Sequence, residues 1–438
     1  MTPVKVSIRT YQVGFGDCFL MSIAYDDASE KHVLIDFGTT KLPENVPKSQ
    51  MLAIARDIQK RSGGKLTAVV ATHRHQDHIS GFGTTAAGSG PGAIIAGCDP
   101  DLVLQPWTEH PDLAVDATEL KLPSGAIHSM AAASRSLAAM QSVARHYVGE
   151  TTRNASYLRT LDKGLREELK FIGEDNIQNA SAVANLIAMG HQKGRGEYLN
   201  AGKPTRLADL LGVQVLVLGP PTVKQHERVA RQKSRDPEEY WQLAAAAPAA
   251  ILDSASGKAQ PLFPGFVAGR TSEQFPIDTR YLIARARRLR GEQMLSIVRT
   301  LDQAMNNTSL ILLFTIGSKS FLFPGDAQIE NWEFALNDPA WMKKLAAVDV
   351  YKVGHHGSLN ATPKTLWKNF RNKSESAADP KRLQSLMSTL EGKHGKPKDG
   401  TEVPRTILVD ELKKESNLFS TQSLAASMVA HDLEVDVR

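Results

Sequence analysis

From its N-terminus the chain alternates between short apolar runs and glycine-marked turns. Val4 to Val13 and Cys18 to Ala24 are β-rich runs on either side of Gly14-Phe15-Gly16-Asp17, which predicts a hairpin with a glycine-dependent turn. His32 to Asp36 is a third run, ending near Gly38. Between Pro47 and Arg61 the apolar residues Met51, Ile54, Ala55 and Ile58 fall at the spacing of one helix face, and Gly63-Gly64 closes the segment. Leu66 to Thr72 is short and continuously apolar, the pattern of a strand covered on both faces, and it delivers the chain into His73. Ala93 to Ala96 and Leu102 to Gln105 predict two further short strands.

The pattern then changes. From about residue 124 to 206 the chain is rich in Ala, Arg, Lys and Glu at helical spacing, which predicts a helical insertion. Val213 to Leu218 resumes a strand, stopped by Gly219-Pro220-Pro221. A second excursion, helical or irregular, is expected over about 222 to 300, through the low-complexity run Ala244 to Ala250 and the Pro/Gly-punctuated stretch Pro261 to Gly265. A last block of strands begins at Ser309 to Thr315 and pairs through Gly317-Ser318 with Phe321 to Phe323. Val348 to Val353 and Thr406 to Val409 continue it. Two blocks of strands interleaved with helices predict an α/β architecture of two sheets packed face to face, with helices outside. The expectation is a single domain over residues 1–438 that carries both insertions.

Composition narrows the class without choosing a function. With 42% hydrophobic and 23% charged residues the chain is ordinary globular material. No run approaches the roughly 18 consecutive apolar residues of a membrane span, so no membrane role is expected. The opening MTPVKVSIRT reads as a strand and lacks the layout of a secretory signal, which predicts a cytoplasmic protein. Cys18 and Cys98 are too few for a disulfide framework and are expected as buried thiols. A formal charge of +5 favours polyanionic partners only weakly at this length.

The candidate chemistry is concentrated in His73-Arg74-His75-Gln76-Asp77-His78, at the end of an apolar strand. Residues two apart on an extended segment project to one side, so His73 and His75 can grip one ion, while Asp77 and His78 can face a second. A dinuclear site also needs a bridging carboxylate and another nitrogen ligand. Asp326, in the turn Pro324-Gly325-Asp326, and the pair His355-His356, after the strand Val348 to Val353, occupy the same kind of strand-end position. Taken singly, Asp326 reads first as a helix cap for Ala327 onward and the histidine pair as a polar turn before Gly357; the recurrence of strand-end positions favours ligands.

These motifs resemble a known family. LIDFG around Asp36, the HxHxDH run, FPGDA around Asp326 and YKVGHHGSLN around His355-His356 are similar, in order, to the motifs of the metallo-β-lactamase superfamily. QVGFGDCFL, NNTSLILLF and KVGHHGS resemble, within it, the hydrolase domain of ComEC-type competence proteins. The resemblance covers roughly residues 4 to 106 and 213 to 410 and omits the insertions. It implies a four-layer αββα metallo-β-lactamase-like sandwich with helical insertions and two divalent metal ions, zinc first and manganese second, at the sheet edge. By position, His73 and His75 would bind one ion, Asp77 and His78 the other, and Asp326 both. One of His355 and His356 would complete the second site, since both cannot point inward from adjacent extended positions. Asp36 would orient the ligands, Asp17 is either near the metals or a plain turn residue, and Asn306, Asn307, Lys352, Ser358 and Asn360 are expected to reach substrate. Asn306 and Asn307 could equally pin the strand that follows. Many relatives place a third histidine before the bridging aspartate; His110, His128, His146 and His191 are the candidates here, and none sits in a motif, so water would complete the first site.

The chemistry implied is hydrolysis by hydroxide generated from water held between two ions, with Asp77 and Asp326 accepting or relaying the proton. Phosphodiester cleavage, in a nucleic acid or nucleotide, is the leading expectation, supported by the carboxylate at position 326, the net charge and the basic run Arg280, Arg285, Arg287, Arg288, Arg290. On a helix, Arg280, Arg287 and Arg288 read more commonly as a solvated face. Hydrolysis of a small ester, lactone, lactam or phosphocholine-like substrate is the alternative, and a non-catalytic binding module on the same fold is the third.

Overall fold

The computed structural model describes residues 1–113, 119–120, 179–191, 194–227, 306–358, 362–393 and 402–438. In the first half, β1 (Pro3–Tyr11), β2 (Cys18–Tyr25) and β3 (Glu30–Phe37) form an antiparallel meander. The chain then runs through α1 (Gln50–Arg61), β4 (Ala68–Val70), the single turn α2 (Gln76–Ile79), α3 (Pro91–Gly97) and β5 (Leu102–Pro106). After residue 178 come α4 (Ala180–His191), β6 (Gly196–Leu199), α5 (Arg206–Leu211) and β7 (Gln214–Gly219). The last part holds β8 (Ile311–Ile316), β9 (Lys319–Phe323), α6 (Ile329–Leu336), α7 (Pro339–Leu345), β10 (Val350–Lys352), α8 (Lys364–Asn369) and β11 (Gln384–Met387). It closes with α9 (Thr406–Glu415), β12 (Asn417–Ser420) and β13 (Ala430–Asp436).

The strands make two mixed sheets, one ordered β13-β1-β2-β3-β4-β5-β6 and the other β12-β11-β10-β9-β8-β7. In each, an antiparallel part passes into a parallel part: β3, β4, β5 and β6 run parallel in the first, and β9, β10, β11 and β12 in the second. The continuous apolar runs follow from burial on both faces. Leu312, Phe314 and Ile316 of β8 join Ile8, Phe19, Met21 and Ile35 of the first sheet in one core, so the inner faces of the two sheets meet there. The alternate residues Ile311 and Leu313 pack in a second core with Trp332 of α6, Leu345 of α7 and Leu412 of α9.

Three expectations need correction. Ala93 to Ala96 lies inside α3, where Gly90 precedes a proline at the first helical position and so starts a helix. Thr406 to Val409 opens α9, whose buried residues Leu408 and Leu412 stand four apart on one face. The span expected to be helical up to residue 206 contains β6, which extends the first sheet beside β5. The C-terminal β13 adds to β1, returning the end of the chain to the first sheet. The chain divides into two units; all described residues fall in the unit of 1–133, 179–243 and 304–438, and the other, 134–178 and 244–303, which holds much of the two expected insertions, lies outside them. No helix among the described residues is long and apolar enough to cross a membrane.

The assignment of α9 is testable on its two faces. Ile407 is 60% exposed and Leu412 fully buried. Ile407→Lys should change stability by less than about 0.5 kcal/mol, whereas Leu412→Ala should cost roughly 2–5 kcal/mol, both read from urea midpoints. Similar losses at both positions would be the behaviour of a buried strand.

Candidate metal centre

The ligand-type residues stand where parallel strands of both sheets end, the edge at which open α/β sheets bind ligands. Asp36 is the penultimate residue of β3, β4 leads through Thr72 to His73, β9 leads to Asp326, β10 to His355-His356 and β11 to Ser388. His75 is still extended and caps α2, and that single helical turn swings Asp77 and His78 back toward the strand ends. The backbone passes so close to the first sheet here that two glycines are required. A Cβ on Gly38 would lie 2.4 Å from the Asp77 carbonyl carbon and the His78 nitrogen, and one on Gly16 would lie 2.7 Å from the Asp77 oxygen. The Asp17 amide donates to that same oxygen at 2.8 Å.

One ligand atom from each of Asp77, His78, Asp326 and His356, all buried, falls within 4.8 Å of the others. The outer hydrogen bonds of the imidazoles fix which nitrogen faces inward. His78 Nδ1 lies 2.7 Å from Asp36 Oδ2, an acceptor, so His78 donates there and its Nε2 carries a lone pair. That Nε2 is 3.0 Å from Asp326 Oδ2, with no hydrogen bond between them. His356 repeats the arrangement: Nδ1 donates to the Ser388 carbonyl at 3.0 Å, and Nε2 faces Asp77 Oδ2 at 3.0 Å. The Thr72 hydroxyl donates to Asp36 Oδ2 at 2.7 Å and therefore accepts from His73 Nδ1 at 3.2 Å, turning His73 Nε2 toward His75 Nδ1, 3.0 Å away. Asp77 Oδ1 is buried without a hydrogen-bond donor. A lone pair set against a carboxylate oxygen in the interior requires a proton or a metal ion between them, and this donor set of imidazoles and carboxylates fits a divalent metal.

The electrostatics follow. Burial by itself lowers the pKa of His78 and His356, but Asp326 and the neighbouring carboxylates outweigh it and raise both, His78 well above the ordinary histidine value. Burial, then repulsion by His78 and His75, holds His73 well below it. Burial opposes ionisation of Asp326, yet His78, Lys352 and His356 keep its carboxyl well below the usual range.

His355 and His356 divide the roles left open by the sequence, and neither is extended: both have left-handed backbone, with φ of 39° and 53°. His356 is fully buried, whereas the His355 side chain is 27% exposed, with Nε2 4.0 Å from Asp326 Oδ2 and Nδ1 2.8 Å from Ser358 Oγ. Asp36 also has a left-handed backbone, φ 55°, and its carboxylate ties the Thr72 amide to His78. Asp17 is fully buried and paired with Lys352, so it is no plain turn residue.

Several residues expected at substrate lie elsewhere. Lys352 is 2% exposed, behind Asp326. Asn306 and Asn307 are interior; Asn307 donates to Glu330 Oε2 at 3.1 Å, and the Asn306 carbonyl accepts from the Ser309 amide. The first bond ties the approach to β8 to α6, and the second closes the backbone turn before β8; the side-chain oxygens of Asn306 and Asn307 are buried with no hydrogen-bond donor among the described residues. Asn360, the arginines from Arg280 to Arg290, His128 and His146 lie outside the described residues. His110 packs against Tyr198 with the rings tilted and their centroids 4.5 Å apart, and His191 is exposed at the end of α4; neither belongs to the metal-ligand cluster. Cys18 and Cys98 are buried free thiols, as expected, and burial pushes both pKa values up.

Sequence reasoning missed Thr72, Ser388 and the pairing of Arg74 with buried Glu109. Arg74 sits inside the HxHxDH run, and an arginine between two ligands was the available signal. Ser388 acts through its carbonyl, which no side-chain motif reports. No family model and no curated protein sequence matches the chain.

Asp36→Asn keeps an oxygen for the Thr72 amide but offers nitrogen where His78 and the Thr72 hydroxyl need an acceptor. Metal affinity should fall by roughly 10–100-fold, measured by chelator competition, with the circular dichroism unchanged; an unaltered affinity would remove Asp36 from the site.

The raised histidines predict a pH effect. Protons on His78 and His356 stabilise the metal-free fold fully below the unfolded histidine pKa of about 6.5, and that contribution is lost as pH rises through the raised folded values. Metal binding must expel these protons, so calorimetry at pH 7 in two buffers of different ionisation enthalpy should report net proton release. Buffer-independent heat would contradict it.

Proposed function

We propose that this protein is a metal-dependent hydrolase of the metallo-β-lactamase-like fold, a four-layer αββα sandwich, and that it cleaves phosphodiesters. The observation that carries the reading is the convergence of His78 Nε2 and His356 Nε2 on the oxygens of Asp326 and Asp77, each ring held by an acceptor on its far side. The sandwich reading is supported by a core shared between two sheets, by α6 to α9 on the outer face of the second sheet and by the contacts of α4 with β5 and β6 of the first. The motif order resembling that superfamily supports it further.

Asp77, His78, Asp326 and His356 would hold a divalent metal, which would supply a lowered pKa for water, to about 7, and compensation for charge on the attacked oxygen. Asp77 is the better placed of the two carboxylates to take up the proton from attacking water. Its Oδ1 faces no donor, while Asp326 Oδ1 accepts from the His355 amide at 3.0 Å and from Lys352 at 3.3 Å. Ser358 orients the His355 ring at the exposed rim, where it can hydrogen-bond a substrate oxygen. A carboxylate at position 326, together with the +5 charge, favours a phosphodiester over a lactam.

With zinc or manganese the protein should hydrolyse bis(p-nitrophenyl) phosphate and single-stranded DNA, and Asp77→Ala and Asp326→Ala should each bring turnover to background without loss of fold. Wild-type turnover in Asp326→Ala would overturn the site. Cleavage of a lactone or carboxylic ester, with no phosphodiester cleaved under either metal, would move the substrate class and leave the metal centre standing.

A further inference from the structure

Arg74 separates the two histidines that open the ligand run, and its side chain runs to a neighbouring strand end. The guanidinium meets the Glu109 carboxylate with two donors: Nε lies 3.0 Å from Oε1 and 2.9 Å from Oε2, and Nη2 also reaches Oε2. The arginine side chain is 12% exposed and the glutamate 6%. Glu109 stands in the turn Trp107–Glu109 directly after β5, the parallel neighbour of β4, so the pair links the exits of two adjacent strands.

The residue is also held through its backbone. Its carbonyl accepts from Asn179 Nδ2 at 3.2 Å, at the entry to α4, and the next carbonyl, that of His75, accepts the His78 and Ile79 amides at 3.0 Å. The strand β4 ends at Val70, so beyond it these bonds do for the ligand run what a strand ladder does inside the sheet. What they fix is the spacing of two rings: His73 Nε2 and His75 Nδ1 face each other 3.0 Å apart. Bonds of about 2.0–2.1 Å to a common ion at near-tetrahedral angles put two nitrogens roughly 3.3 Å apart, so the pair stands near chelating distance. A rotation of the Arg74 backbone would part the rings. A buried guanidinium–carboxylate pair gives little net stability over an apolar pair of similar volume, whereas its planar fork fixes direction.

We infer that Arg74 is a positioning residue: clamped at its side chain by Glu109 and at its carbonyl by Asn179, it presets His73 and His75 to grip one divalent ion together. The inference rests on the metal-centre reading proposed above and adds the residues that preform its histidine pair.

The test uses the full chain, with zinc affinity and stoichiometry read from chelator competition and stability from urea midpoints. Arg74→Lys keeps the charge but not the fork, and should weaken zinc binding roughly 10–100-fold. Arg74→Met/Glu109→Leu removes both charges together. It should bind zinc as weakly as Arg74→Lys while its midpoint stays at or above that of the wild type, a combination that a purely structural pair would not give. With His75→Ala already present, Arg74→Lys should cause no further loss of affinity, because no paired grip is left to position. Wild-type affinity in the double variant, or the same fold-loss from Arg74→Lys with and without His75, would overturn the inference while leaving a metal centre in place. Should the double variant fail to fold, the comparison of Arg74→Lys in the two backgrounds still decides. A wild type that binds no zinc would overturn the metal-centre reading itself, and this inference with it.

Discussion

The structure turns on the neutralisation of buried charge at one edge of two sheets. Asp17, Asp36, Asp77 and Asp326 are each at most 5% exposed, and charges so placed are tolerable only when paired and hydrogen-bonded. Lys352 meets Asp17 and Asp326, and His78 stands between Asp36 and Asp326. What remains is the confrontation of imidazole lone pairs with carboxylate oxygens, which the protein's own fixed cation does not resolve. A bound cation, or protons in its place, must finish the neutralisation, so the centre couples the stability of its loops to what it binds.

The same edge ties the sheets together, so fold and centre cannot be separated cleanly. The Leu310 amide at the start of β8 donates to the Thr72 carbonyl at 2.9 Å, beyond the end of β4. The Ser388 hydroxyl after β11 donates to the Gly16 carbonyl, and the Ser388 carbonyl holds His356. These links cross from one sheet to the other at the level of the ligands, above the shared core of Phe19, Phe314 and Phe323. A shift of either sheet would move His78 away from Asp326, because the two residues belong to opposite sheets. The close approach at Gly16 and Gly38 has the same meaning: the ligand turn is pressed against the first sheet, with no room for a side chain between them.

Much of this was legible in the sequence, and the failures have physical reasons. The HxHxDH run and Asp326 could be read because each follows a buried strand, where a polar ligand-type residue has few other uses. The roles of His355 and His356 could not, since the argument assumed extended backbone and the left-handed turn bounded by Gly354 and Gly357 is set by tertiary contact. Lys352 was expected at substrate, and lysines seldom lie inside; its burial depends on Asp17, 335 positions away in sequence and invisible to local reasoning. Ala93 to Ala96 and Thr406 to Val409 were short apolar runs, for which period alone does not separate strand from helix. The strand β13 carried a plain alternation of exposed and partly buried residues, Asp432, Leu433, Glu434, Val435, Asp436, but an edge strand with so many charges has little apolar signal.

Backbone strain recurs at the centre and explains its division of labour. Among the described non-glycine residues, left-handed φ occurs at Asp36, His355 and His356 and at the turn residues Ala28 and Asp99. Such conformations cost on the order of 1–3 kcal/mol each and persist only where surrounding bonds over-determine them. At Asp36 those bonds come from Thr72 and His78; at His356, from Ser388 and Asp77; at His355, from Asp326 through its amide and Ser358 through its ring. The two-residue left-handed turn sends one imidazole to the ligand cluster and leaves the next at the rim, a separation that an extended pair would achieve only by turning one ring to the opposite face of the strand. Adjacent histidines can therefore stand at one centre in two positions, one in the buried cluster and one at the rim, because the backbone between them is held in a conformation that neither would adopt alone.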